Sequence, residues 1–135
     1  MARTLSKSKL ISYRQCAKRL WLEIHQPELG QVSAVSEAIF KIGHHVGEVA
    51  HGLYDPEGKG ALVDLKAEGV SAALARTTLL LERRRPVFEA GFASGGAMAF
   101  SDVLLPVDQQ GWRMVEVKAS GSVKDYQRDD VAIQS

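Results

Sequence analysis

Apolar and polar positions change period three times along the chain. In residues 6–25, Leu10, Tyr13, Cys16, Ala17, Leu20, Trp21 and Ile24 recur every three or four positions. That spacing predicts one or two short amphipathic helices, started by Ser6 or Ser8 and ended by Pro27 and Gly30. Trp21 is expected as a core anchor and Cys16 as a small buried residue. Residues 33–54 carry the clearest helical stripe: Val35, Ala38, Ile39, Ile42, Val46, Val49, Ala50 and Leu53. Ser33 is the expected cap, and Gly52 with Asp55-Pro56 the stop. Ser36, Phe40, Gly43 and Gly47 form a second line on that helix. Each helical glycine costs about 1 kcal/mol against alanine, so a sheet or a substrate backbone is expected to approach closely there.

Residues 56–69 give a weaker pattern, a loop and then a short strand or edge over Ala61–Leu65. Residues 71–84 read as a helix with Leu74, Thr78 and Leu81 inward, closed by Arg83, Arg84 and Arg85. These arginines suit a helix C-terminus or a phosphate contact. The period then becomes two. Strands are predicted over 87–93, 97–106 and 112–118, with Gly95-Gly96 as a hairpin turn. A helix follows from about Val123. Three sequential antiparallel strands and a helix predict an α/β fold, with a central mixed or antiparallel sheet flanked by helices.

Composition changes this picture little. The 135 residues suit a single domain, burying roughly two thirds of the unfolded surface. A net charge of +1 says nothing about partners. Its distribution says more: Arg3, Lys7, Lys9, Arg14, Lys18 and Arg19 stand in residues 1–22 with no acid among them. Such a segment suits a phosphate backbone or a solvated helix face. One cysteine excludes an internal disulfide, and no leader or membrane-spanning run is visible, so a cytoplasmic protein without membrane contact is expected.

The candidate chemistry lies in the last two strands. Alternation puts Trp112, Met114, Glu116 and Lys118 on one face, with Val115 and Val117 turned to the core. Phe100 and Asp102 share a face of the preceding strand. Closing the hairpin brings Asp102 and Glu116 together with Lys118 beside them. Two carboxylates suit a hard divalent cation such as Mg²⁺ or Mn²⁺. A lysine adds a compact charge that places water or stabilises developing negative charge. Glu89, one strand earlier, can reach the same point as a second-metal ligand or an outer partner.

Asp102, then Glu116-Val117-Lys118, then Gln134 on the following helix resemble the PD-(D/E)xK nuclease signature. The wider strings Phe88-Glu89-Ala90, Ser101-Asp102-Val103-Leu104, Val115 to Ser120, Val123-Lys124-Asp125-Tyr126 and Asp130 to Gln134 resemble its RecB-type branch. Within that branch the resemblance is close to the CRISPR-adaptation exonucleases and to a bacterial family built on their core. Gln15 to Leu22 is similar to that group as well. The resemblance covers nearly all of the chain, weakly between residues 55 and 85.

This resemblance implies a restriction-endonuclease-like core and a Mg²⁺- or Mn²⁺-dependent deoxyribonuclease, exonuclease-type, in DNA repair, recombination or CRISPR adaptation. The rival expectation is an inactive nuclease-fold module that binds nucleic acid or a protein. The implied metal ligands are Asp102, Glu116, the Val117 carbonyl, His51 from Gly47-x-x-x-His51, and Glu89. Lys118 and Gln134 complete the catalytic set. Arg14, Lys18, Arg19 and Lys124 are the implied contacts to single- or double-stranded DNA, with a helicase or CRISPR-associated protein as a further partner. Cys16 matches a cluster cysteine of the CRISPR relatives, but one thiolate cannot hold an iron–sulfur cluster that takes four. The motif's tyrosine, four residues after Gln134, would fall beyond Ser135, as would the closing strand. The chain is therefore expected to be the N-terminal part of a longer enzyme.

Overall fold

A computed structural model describes residues 4–30 and 33–135. Arg3, one of the N-terminal cations, lies outside the described residues. The chain forms a curled mixed sheet flanked by helices. Strand β1 (Leu5–Ser6) leads into helices α1 (Lys7–Gln15) and α2 (Ala17–His25). A short 3-10 turn (Pro27–Leu29) precedes the long helix α3 (Ala34–Tyr54). Then come β2 (Ala61–Leu62), α4 (Leu65–Glu68) and α5 (Val70–Leu81). Strands β3 (Val87–Ser94), β4 (Ala97–Pro106) and β5 (Trp112–Val115) follow, and α6 (Asp125–Gln134) ends the order.

Strand β4 is the spine. β3 runs antiparallel along one edge of it, from Val87 opposite Leu104 to Ser94 opposite Ala97. The Gly95-Gly96 turn between them holds φ at 57° and 79°, a conformation that favours glycine. The other edge of β4 is shared. β1 lies parallel to Ala97 and Met98, while β5 runs antiparallel to Val103–Pro106. Residues 99–102 have no strand on that edge among the described residues, so Asp102 stands at a split in the sheet. β2 extends the far side by pairing parallel with Val87 and Phe88.

The core sits between the sheet and α5. Val63, Ala73, Leu80, Val87, Ala90 and Leu104 are buried together, with Phe100, Trp112 and Met114 packed against them. Thr77 ties the layers: its Oγ1 donates to the Ala73 carbonyl and accepts the Gly91 N–H at 2.9 Å. A Cβ on Gly91 would stand 2.5 Å from the Phe100 ring, so close packing requires glycine there.

Several expectations are corrected by this packing. Ala73, Thr77 and Leu80 form the buried face of α5; of the expected Leu74, Thr78 and Leu81, Leu81 packs against the core at its edge and Thr78 is exposed. Helix α5 ends at Leu81, before the arginines. Arg84 instead donates to the carbonyls of Asp108 and Gly111 and lies 4.7 Å over the Trp112 ring, clamping the β4–β5 turn. Trp112 and Met114 face the core, where Val115 and Val117 were expected. Trp21 is 52% exposed, and Cys16 is exposed in the extended residue that separates α1 from α2. Helix α3 is capped by Ser33 as expected, with the Ser36 N–H as donor. Its apolar stripe is nevertheless open, with Ile39 and Ile42 at 60% and 57% exposure. No helix among the described residues is long and apolar enough to cross a membrane.

Candidate functional site

A cleft of ≈ 470 Å³ opens between α3, the β2–α4 segment and the end of the β5 edge. Gly43, Gly47 and His51 line it from α3; Glu89, Asp102, Val103 and Val117 line it from the sheet side. Cβ atoms on Gly43 and Gly47 would meet nothing within 4 Å, so the glycine line faces open space rather than a packed sheet.

The carboxylates reach the cleft through two departures from regular strand structure. Glu89 falls in register opposite Asp102 but has φ of 57°, the left-handed region, inside β3. The pairing on either side keeps the same register, so no residue is inserted. A non-glycine residue held this way costs on the order of 1–3 kcal/mol, and such strain clusters at functional sites. The second departure follows β5. Its ladder ends at Val115, three residues short of the expected strand, and the Val117 N–H donates 2.6 Å to Asp102 Oδ2. The backbone of the Glu-Val-Lys segment is thereby fastened to the aspartate.

Burial raises the Asp102 pKa, as does the neighbouring Glu116; the Val117 N–H and Lys118 oppose the rise. Burial also raises that of Glu89, helped by Asp102 and Glu116. Glu89 has no hydrogen-bond or ion partner among the described residues. A raised pKa means that the folded state prefers the protonated acid. The charged form therefore costs stability at neutral pH, and the cost disappears as pH falls through the raised pKa towards the ordinary value of 4.5. Glu89→Gln is accordingly expected to stabilise the metal-free chain by on the order of 1 kcal/mol at pH 7. Denaturant melts at a series of pH values check this, and the gain should vanish below pH 4.5. Equal stability at pH 7 would remove the repulsion from the account.

His51 stacks on Phe88 with ring centroids 4.1 Å apart. Burial lowers its pKa from 6.5, so it stays neutral at pH 7, the form that binds a metal. His44 and His45 lie in the solvent-exposed part of α3 beside Glu48.

Glu116 does not face this cleft. Its side chain is only 4% exposed, and both oxygens are occupied. Lys7 Nζ lies 3.3 Å from Oε1, Lys118 pairs with the same atom, and Gln134 donates 2.8 Å to Oε2. Asp130 completes the group, 2.8 Å from Lys7 and 2.7 Å from Lys118. Burial disfavours the Lys118 ammonium, but hydrogen bonds to Asp130 and Glu116 outweigh it and raise its pKa. Burial likewise opposes ionisation of Asp130, yet the two lysines hold its carboxyl below the usual range. The predicted site is thus divided: Asp102, Glu89, Val117 and His51 on the cleft, and Glu116, Lys118 and Gln134 in an ion cluster beside it. Among the described residues, no three His, Cys, Asp or Glu side chains stand together as an ion-holding group.

Lys7 and Asp130 were not singled out from the sequence as site residues. Asp130 had a signal, since it lies four residues before Gln134 on one helix face. Lys7 had none, because its position depends on β1 pairing with β4. Of the basic candidates, Arg14 pairs with Asp129 at 3.0 Å and Arg19 with Glu23 at 2.7 Å. Lys18 is exposed on α2, and Lys124 is the exposed N-cap residue of α6.

The molecule is a mixed α/β chain with a carboxylate-bearing cleft at a sheet split. Comparison with family models, curated proteins and solved structures matched none of them to this chain.

Proposed function

We propose that this chain is a metal-dependent nuclease domain of the PD-(D/E)xK type, built on a restriction-endonuclease-like core and acting on DNA phosphodiester bonds. The observation that carries the reading is the pairing at the split in β4. Asp102 is tied by Val117 to the Glu116-Val117-Lys118 segment, while Glu89 shares its cleft without a cation partner. Two carboxylates whose charged forms disfavour each other fit a hard divalent cation in kind.

Asp102 and Glu89, with the Val117 carbonyl, are the groups that would hold Mg²⁺ or Mn²⁺, and His51 borders the same cleft. When bound, that ion supplies positive charge to the phosphodiester and acidifies water. Asp102 holds the Val117 backbone in place. His51, neutral at pH 7, offers a nitrogen without adding charge. Lys118 supplies a fixed ammonium near the phosphate, and Gln134 orients the Glu116 carboxylate. Lys18 and Lys124 are the exposed cations suited to the phosphate backbone.

The test is cleavage of end-labelled duplex and single-stranded DNA in Mg²⁺ and in Mn²⁺, with EDTA as control. Metal-dependent shortening is the expected result. Absence of cutting in both ions, with DNA still bound, would replace the reading with an inactive binding module. The occupied oxygens of Glu116 favour that second reading.

A further inference from the structure

Four side chains from three separate segments form a closed ring of alternating charge. Lys7 starts α1, Glu116 and Lys118 follow β5, and Asp130 lies on α6. Each acid touches both lysines. The acids are nearly inaccessible, with side-chain exposures of 4% for Glu116 and 7% for Asp130. The lysines are more open, at 18% for Lys7 and 34% for Lys118.

Such a ring is weak evidence for stability. Taking four charges out of water is costly, and apolar replacements of buried ion groups are often neutral or stabilising. What the ring does fix is geometry. The two oxygens of Asp130 are divided between the lysines, Oδ1 to Lys7 and Oδ2 to Lys118. That division sets the spacing of the ammoniums and brings them to Glu116 together. Gln134, one turn further along α6, holds the remaining Glu116 oxygen at 2.8 Å. Helix α6 thereby grips both charged ends of the Glu-Val-Lys segment, Lys118 through Asp130 and Glu116 through Gln134. The segment has no strand ladder to hold it, because β5 has already ended at Val115.

We infer that Asp130 and Lys7 are positioning residues of the site: with Glu116 and Lys118 they close an ion ring that fixes where the Lys118 ammonium stands. The inference rests on the nuclease reading for its catalytic consequence, but not for its geometry. Without the Asp130 charge, Lys118 keeps only one of its two carboxylates, and, as the more open ammonium, it is no longer held in place by that single screened pair. The site keeps its carboxylates but loses the fixed cation.

The experiment uses the whole chain and two readouts. Lysine side-chain NMR first counts ammonium groups protected from exchange with water. The unsubstituted protein should show Lys7 and Lys118 protected, and Asp130→Asn should lose the Lys118 signal. Asp130→Glu, which restores the charge, should recover it. Single-turnover cleavage is the second readout. Asp130→Asn should lower the cleavage rate about 10–100-fold, the usual effect of an outer partner, with the half-saturating DNA concentration changed only a few-fold. A double variant, Lys7→Met with Asp130→Leu, removes the pair without leaving either charge alone. If Asp130→Asn does not fold, this double variant carries the test. It should remain folded and keep both defects. A protected Lys118 signal in Asp130→Asn or in the folded double variant overturns the inference, as does parental cleavage in either. If the unsubstituted protein itself cuts no DNA, the nuclease reading fails and the NMR result alone decides the positioning role.

Discussion

Asp102→Asn is expected to abolish both metal-induced stabilisation and cleavage. The asparagine keeps an oxygen for the Val117 N–H, so the fastening of the Glu-Val-Lys segment survives while the charge is lost. Binding to the native state alone stabilises by about 2.7 kcal/mol at a hundredfold excess of ion over Kd. Unsubstituted protein should therefore melt several degrees higher in Mn²⁺, whereas Asp102→Asn should show no shift. Cleavage should fall by more than the roughly 100-fold upper end seen when outer partners are removed. Without metal, the variant should be no less stable than the parent, because a buried carboxylate repelled by its neighbours has gone. Parallel melts and single-turnover assays read all three quantities. An equal Mn²⁺ shift in parent and variant would exclude Asp102 as a ligand.

Lys118→Met is expected to separate catalysis from binding. The thioether side chain retains much of the apolar stem and removes the ammonium. One fixed electrostatic contact to a developing charge is worth on the order of 10²–10³ in rate. The Mn²⁺ melting shift and DNA affinity in Ca²⁺ should change far less, since Asp102, Glu89 and the exposed cations remain. The substitution is not silent for the fold. Glu116 and Asp130 would be left with Lys7 alone, although Lys118 is partly exposed and solvent screens part of the loss. A cost on the order of 1–3 kcal/mol is expected, below the roughly 3–5 kcal/mol of a fully buried pair because Lys7 and solvent remain to both acids. Cleavage within a few-fold of the parent, with Asp102→Asn inactive, would remove Lys118 from the chemistry.

The parts of the fold that depend on local pattern were legible. Alternation and the paired glycines placed β3, β4 and their turn nearly to the residue. Ser33 marked the start of α3, and the three-four spacing marked α1 and α2. Failures arose where a local rule met a tertiary demand. Periodicity locates an apolar stripe but not what covers it, so the α3 stripe and Trp21 were expected inside and stand exposed. Alternation through residues 112–118 required the ladder to continue. It stops at Val115, and the next available acceptor, the Asp102 carboxylate, takes the Val117 N–H.

Residue type and spacing by themselves determined which groups this protein has to work with: two carboxylates and a lysine near one hairpin, an acid one strand earlier, and a histidine on a glycine-lined helix. They also determined the mixed α/β class, because helical and strand periods are properties of short segments. Only the tertiary structure decided how those groups are shared out. Asp102 and Glu89 went to the cleft, while Glu116 and Lys118 went to a ring with Lys7 and Asp130. That division depends on a two-residue parallel pairing near the N-terminus and on the packing of α6 against the sheet. Both are contacts between segments distant in sequence, and a charge carries no sequence mark of the distant charge that will neutralise it.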